Sequence, residues 1–301
     1  MNAAAHPQTV QPGSVLSVEV RQRRSLGRRI TLLMLLPSTL WFLLLLLIVG
    51  FSFSASAQRI ALMGALDQEI AILLDSMQGQ KKVSRGGIDF YKGKLKGKKV
   101  VILKAGVGKV NSAYSTAVLT ENFKISSLIF TGVAGGLDPE ALPGDLVIGE
   151  KLVQYDFGKV DSLGFSVAPF RKLSGGAHDE LFIDSDKDLL RISQNAAKKV
   201  VFVPIANRQP KVFSGVIATG DIFVSSNEKA KFLYTEFEAL ATEMEGAAVA
   251  HICRTLDIPF IVIRSCSDNA NNHARMNFNQ FVGPASENSA RLVLAILGEM
   301  E

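Results

Sequence analysis

Four groups of residues have the types and spacing to do chemistry. The first is Glu69, which follows the apolar run Arg59-Ile-Ala-Leu-Met63 and Gly64. The second is Thr242-Glu-Met-Glu-Gly-Ala-Ala248, where Glu243 and Glu245 flank Met244 in apolar surroundings. On a strand, two carboxylates at a period of two point the same way and suit the binding of hydroxyl groups. The favourable field at a helix start accounts for acids there equally well. The third is Arg264-Ser-Cys-Ser-Asp268, which ends the strongest apolar run. Asp268 fits a solvated turn or cap; partly buried, it would keep its proton and serve as a general acid. The fourth is a pair of glycine-rich stretches, Ala105-Gly-Val-Gly-Lys109 and Thr131-Gly-Val-Ala-Gly-Gly136. Glycines there either let backbone N–H groups approach a ligand or close a tight turn. The first stretch lacks both the Walker A spacing and the Rossmann triplet. His251 and His273 have no paired metal spacing and read as structural. A G-x-S-x-G elbow for a serine hydrolase is absent from the sequence.

These groups fall where strands give way to helices or loops. A strand over 59–63 leads to a helix over 66–77, with Leu66, Ile70, Leu73, Leu74 and Met77 on one face. Residues 81–96 alternate as a hairpin. A strand over 100–103 runs through the first glycine stretch into a helix near 109–122. Another strand covers 127–130, with 131–136 as the turn after it. Strand signals recur at 145–155 and 211–218, and a helix covers 185–199. Residues 241–245 read as a strand entering a helix over 246–256. The strand at 258–265 and a helix over 280–299 complete the pattern, with 156–184 left as a long loop. Alternation of this kind argues for a three-layer α/β domain with a mostly parallel sheet. Ligands of such sheets bind at the carboxyl ends of strands. Glu69, the glycine turn, Glu243, Glu245, Ser267 and Asp268 should therefore gather in one cleft.

The formal net charge of +5 raises the question of a nucleic-acid partner. Residues 1–57 hold Arg21, Arg23, Arg24, Arg28 and Arg29 against Glu19 alone, so only +1 is left for residues 58–301. No nucleic-acid partner is expected for such a near-neutral body. An apolar run over 30–53 follows the arginines and ends in Ala55-Ser-Ala57, small residues at the −3 and −1 positions of a cut before Gln58. Residues 1–57 thus read as an export signal, which makes the protein periplasmic or secreted. The alternative is an uncleaved anchor, with membrane contact only through residues 30–53. Residues 58–301 are enough for one domain with a real core. Cys253 and Cys266 read as buried free thiols, with a disulfide as the alternative.

Taken together and in order, the motifs resemble those of one family. They are Gly64-Ala-Leu-Asp-Gln-Glu69, Ala105-Gly-Val-Gly-Lys109, Thr131-Gly-Val-Ala-Gly-Gly136, Thr219-Gly-Asp-Ile-Phe-Val224, Glu243-Met-Glu245 and Arg264-Ser-Cys-Ser-Asp268. The family is the 5′-methylthioadenosine/S-adenosylhomocysteine nucleosidases of the nucleoside phosphorylase superfamily. The resemblance implies an α/β/α sandwich around a mixed, partly barrel-like sheet, a homodimer, and a small-molecule purine nucleoside as substrate. It implies no metal and no organic cofactor. By resemblance, Glu69 would activate water and Asp268 would protonate purine N7, oriented by Ser267. Glu245 would bind the ribose hydroxyls, with Met244 against the sugar. Phe223 would stack on the base, and the backbone of Val224 would read its edge. Gly135 would line the pocket, Arg264 would sit near the water and Glu69, and Phe278 would pack near the 5′ substituent.

The sequence departs from the family pattern in four places. Val133 stands where a serine is usual, and Leu66 where a methionine is common. The 156–210 region is longer than in compact members, and an export segment is unusual for an enzyme of methionine salvage. These departures leave open another 6-aminopurine or futalosine-type nucleoside, or phosphorolysis. A non-catalytic exported nucleoside-binding or storage protein is the alternative of a different class; it should lack the acid or the base, and this chain has Glu69, Glu245 and Asp268.

Overall fold

The computed structural model describes residues 58–171, 173, 175–176 and 180–300. The basic run, the apolar run and the Ala55-Ser-Ala57 site all lie outside the described residues. The described chain begins with β1 (Arg59–Gly64) and α1 (Asp67–Asp75). It continues through β2 (Gln78–Arg85), β3 (Ile88–Leu95), β4 (Lys98–Lys104), α2 (Lys109–Asn122), β5 (Ile125–Gly136) and β6 (Leu146–Gln154). A small hairpin of β7 (Gly158–Asp161) and β8 (Gly164–Val167) follows, then β9 (Phe182–Asp184) and α3 (Lys187–Ala197). The last elements are β10 (Val212–Thr219), α4 (Asn227–Phe237), β11 (Ala239–Glu243), α5 (Gly246–Thr255), β12 (Phe260–Asp268) and α6 (Ala274–Glu299).

All the strands except β7 and β8 join one sheet, in the order β11-β10-β6-β12-β5-β1-β4-β3-β2, with β9 on β6. β11 also pairs with β5, which closes β5, β12, β6, β10 and β11 into a barrel. Continuous apolar runs form its central strands because both faces are covered. Along β12, Phe260 and Val262 join one core cluster while Ile261 and Ile263 join the other. α1, α3 and α6 pack together over the second cluster, and α2 and α5 over the first. α4 rests on β10 and β11 through Leu233 and Phe237. The result is the helix–sheet–helix layering with a mixed, partly closed sheet.

Several expectations change. The sheet is mixed rather than mostly parallel: β12–β6, β11–β5, β6–β9, β2–β3 and β3–β4 are antiparallel. Residues 131–136 are not a turn but the end of β5, paired to β12 and β11. Glycine weakens a strand, yet marks places where another group comes close. A Cβ on Gly132 would lie 2.5 Å from Glu69 Oε1 and would also strike Arg264. The 156–184 stretch is not a bare loop; it holds the β7–β8 hairpin and β9. The final helix begins at Ala274, and α4 was not expected from the pattern. Cys253 and Cys266 are free and buried. No helix among the described residues is long and apolar enough to cross a membrane.

Candidate active site

A cleft opens where β1, β5, β11 and β12 end. Glu69, Glu243, Glu245 and Asp268 line it, and all four are buried. The carboxyl groups predicted to gather do so.

Glu69 is in the first turn of α1. Its Oε2 accepts the orphan N–H groups of Ala65 (2.5 Å) and Leu66 (2.9 Å), as a helix start demands. Its Oε1 accepts the N–H of Val133 at 2.9 Å, across the cleft floor on β5. The backbone makes this contact, so it does not depend on the side chain at position 133. Burial raises the Glu69 pKa above the ordinary carboxylate value, and the Arg264 charge and the three N–H groups pull against that rise. Such a carboxylate is held in place and is basic enough to take a proton.

Strand β11 ends at Glu243, so Glu245 is not its period-two partner; it caps α5 with its backbone outside the strand region. The two acids meet instead around Arg264. Glu243 pairs with Arg264 Nη2 and accepts the hydroxyl of Thr219. It also accepts the N–H groups of Glu245 (3.0 Å) and Gly246 (2.7 Å). Glu245 lies 3.4 Å from Arg264 Nη2 and accepts the N–H of Gly108 at 2.8 Å. Gly108 has φ of +91°, a conformation that favours glycine and aims that N–H at the cleft. Burial first, and Glu243 second, push the Glu245 pKa up to about 7. The Arg264 pKa is raised although its burial opposes this, because Glu243, Glu245 and Glu69 surround it.

Arg264 itself is fully buried and lies behind the carboxylates rather than among the cleft-lining residues. Its guanidinium lies 4.3 Å from the Phe130 ring centroid, and its Nε and Nη1 have no hydrogen-bond partner among the described residues. Nη1 and Glu69 Oε1 both overhang Gly132.

Asp268 closes β12. Its Oδ1 accepts the N–H of Ala270 (2.8 Å) and its Oδ2 the hydroxyl of Ser267 (2.9 Å). Ser267 is also 3.3 Å from the carbonyl of Ala134. It can donate to Ala134 instead and accept from a protonated Asp268, so both protonation states are served. Burial pushes Asp268 up to about 6, more than its two hydrogen bonds lower it. Gly135 lines the cleft beside it; a Cβ there would stand 3.0 Å from Asp268 Oδ1.

The remaining lining is largely apolar. Phe223, Val224, Met244 and Phe278 are all present, with Leu66, Val107, Val133 and Ile222. Phe223 and Phe278 meet edge to face at 5.9 Å. Three loops at the rim are tied by one lysine: Lys109 Nζ lies 2.6 Å from Asp156 and 3.9 Å from Asp221. Asp221 accepts the Lys109 N–H at 2.7 Å, and Asp156 accepts the Asp221 N–H at 2.8 Å. Thr219 and this clasp were not assigned roles from sequence, and Glu243, read with Glu245 as a binder of hydroxyl groups, is instead engaged by Arg264 and Thr219. Their partners come from distant segments, although the motif Thr219-Gly-Asp221 already contained two of them. Among the described residues, no group of three or more metal-ligating side chains is placed to hold a metal ion.

The phosphorylase superfamily model matches residues 59–298. The 5′-methylthioadenosine/S-adenosylhomocysteine nucleosidase of Geobacillus sp. (strain WCH70) is 34% identical over 244 residues, covering 81% of this chain and 99% of the relative. The crystal structure of the nucleosidase of that name from Neisseria meningitidis, in complex with methylthio-immucillin-A, superposes with a TM-score of 0.71 at 34% identity. It covers 81% of this chain and the whole of the other. Futalosine hydrolase of Helicobacter pylori strain 26695 has the same fold, with a TM-score of 0.67 and 31% identity over 81% of this chain and 98% of its own. This chain belongs to the 5′-methylthioadenosine/S-adenosylhomocysteine nucleosidase family of the phosphorylase superfamily.

Proposed function

We propose that residues 58–301 hydrolyse the N-glycosidic bond of a purine nucleoside, 5′-methylthioadenosine, S-adenosylhomocysteine or a relative, releasing adenine and a ribose derivative. The observation that carries the reading is the pair of carboxyl groups set along β5. Glu69 is held by the Val133 N–H, and Asp268 packs on Gly135. Those two anchor positions are about 7 Å apart on a strand, enough to place a sugar and a water between an acid and a base. Asp268 holds a proton that it gives to purine N7, so the base leaves neutral. Glu69 takes a proton from water, which attacks the anomeric carbon as the C–N bond breaks through an oxocarbenium-like state. A water over Gly132 would meet both Glu69 and the free Arg264 Nη1. Glu245 holds the ribose hydroxyls against Met244, which fixes the sugar relative to the acid and the base. Phe223 and the Val224 backbone take the base, and Phe278 the 5′ substituent. No step uses a metal or organic cofactor.

Incubation of the protein with 5′-methylthioadenosine, S-adenosylhomocysteine and adenosine, read as free adenine, tests this. No release from any of them defeats it. Futalosine belongs in the same assay, read as its own free purine base rather than adenine, because the Helicobacter hydrolase is as similar in sequence as several nucleosidases. Phosphorolysis is disfavoured: Glu69 would repel phosphate, and no lysine or arginine is among the described residues that line the cleft. Rates independent of phosphate are expected.

Three wider readings complete the proposal. The protein is exported, through residues 1–57 acting as signal peptide or anchor. It acts on nucleosides of methionine salvage outside the cytoplasm. It is a homodimer, for which the exposed apolar stripe of Val107, Val110 and Tyr114 at the start of α2 is the supporting feature. Val110→Asp should then shift the species seen by analytical ultracentrifugation toward the monomer.

A further inference from the structure

The near-zero charge of the domain conceals a strong segregation. Residues 78–104, spanning β2 to β4, carry nine basic side chains and one acid, Asp89. The rest of residues 58–301 therefore holds seven more acidic than basic residues. Within the hairpins, Lys81 stands directly opposite Lys92, and Lys94 opposite Lys99. Lys92 and Lys94 are two apart on β3, so all four lysines share one face. They are exposed or half-exposed, and none pairs with a carboxylate among the described residues. By contrast, Lys82 and Lys104 are paired, with Asp89 and Asp67. Like charges set directly across a sheet destabilise it. Guarding an open sheet edge explains lysines on the edge strand β2. It does not explain Lys94 and Lys99, which lie on inner strands.

The position of this face narrows its partner. The chain enters the domain at Arg59, whose Nη1 donates to the Val100 carbonyl at 3.4 Å, next to Lys99. The Arg59 N–H donates to the carbonyl of Lys124, another exposed and unpaired lysine. Glu121 is the exposed acid nearest to Lys124 along the chain. Ahead of Gln58, only four residues separate it from the apolar run that ends at Phe53. Four residues reach at most about 14 Å. A bilayer crossed by that run would therefore meet the amino end of β1, where Lys94, Lys99 and Lys124 are.

We propose that the face formed by Lys81, Lys92, Lys94 and Lys99, with Lys124, docks on an anionic phospholipid surface. The chemistry is electrostatic attraction of several ammonium groups to phosphodiester head groups, worth about 1 kcal/mol per lysine, or roughly fivefold in partitioning. Membrane contact would then extend beyond residues 30–53 and would persist in a chain cut before Gln58.

The test uses residues 58–301, a span that holds all three core clusters and that whole relatives match end to end. Flotation is measured with vesicles of phosphatidylcholine alone and of equal parts phosphatidylcholine and phosphatidylglycerol. Expected is flotation with the anionic vesicles only, abolished by high salt. Lys94→Gln should lower the partition coefficient about fivefold. The four changes Lys81→Gln, Lys92→Gln, Lys94→Gln and Lys99→Gln together should abolish flotation. Lys198→Gln with Lys231→Gln, exposed lysines on other elements, should leave it intact. Retained adenine release by each variant reports folding, so the single change decides if the quadruple variant fails to fold. No flotation with anionic vesicles, equal flotation with neutral ones, or no effect of the patch changes overturns the proposal. So does tighter, patch-dependent binding to duplex DNA or RNA than to the vesicles.

Discussion

Asp268 keeps its proton at mildly acidic pH because burial outweighs the hydrogen bonds from Ala270 and Ser267 that favour its anion. In its proposed role of general acid it works only while protonated. We therefore expect kcat/KM to fall as pH rises above about 6, the limb belonging to Asp268. Asp268→Asn should remove that limb and lower the rate about 10²–10⁴-fold. The same shift has a consequence for stability. The folded pKa, about 6, lies above the ordinary value of 3.8, so this group's contribution is present below the lower value and lost as pH rises through the upper one. Asp268→Asn should therefore stabilise the fold at pH 8, by on the order of 1–3 kcal/mol, and do little at pH 4. Denaturant titrations at the two pH values check this, and equal effects at both would contradict it. The types of these residues were readable because an acid after an apolar strand is conspicuous. The work of Glu243 was not, since it depends on Thr219, Arg264 and the start of α5 meeting in space.

Among the elements, β5 joins the barrel to the site. Its glycines looked like a turn because composition registers conformational freedom but not crowding by Glu69, Arg264 and Asp268. The strand continues because β12 and β11 supply partners on both sides, and tertiary pairing overrides the local preference. The 156–184 stretch lacked periodicity because its strands are three or four residues long, too short for alternation to show. The rim loops carry the other element-scale prediction. Lys109 joins the turn that presents Gly108 to Glu245, the loop that carries Phe223, and the segment at Asp156. Lys109→Met should loosen all three. The loss falls on binding, so we expect KM to rise roughly tenfold with kcat changed far less. Steady-state kinetics separate the two, and a change confined to kcat would refute the positioning role.

For the molecule as a whole, helix–sheet layering was legible from alternating patterns. Closure of the barrel was expected only through the family resemblance, because the antiparallel contacts of β11 with β5 and of β12 with β6 leave no mark on either sequence pattern. Net charge was misleading in a similar way. A sum near zero describes a domain with one basic end and an acidic remainder. Processing makes a separate prediction at this scale. Trp41 is the only tryptophan, so a chain cut before Gln58 should show tyrosine emission alone. Tryptophan emission from the purified protein would mean that the segment is retained.

The polarity of β1 has a practical consequence. The chain enters at Arg59, and Glu69 follows the opposite end of the strand, about 20 Å away. A reporter, affinity handle or solid support attached ahead of Gln58 joins the domain at the end away from the cleft mouth. Immobilised in that orientation, the protein would present its mouth to the flowing solution, as a surface for nucleoside detection requires.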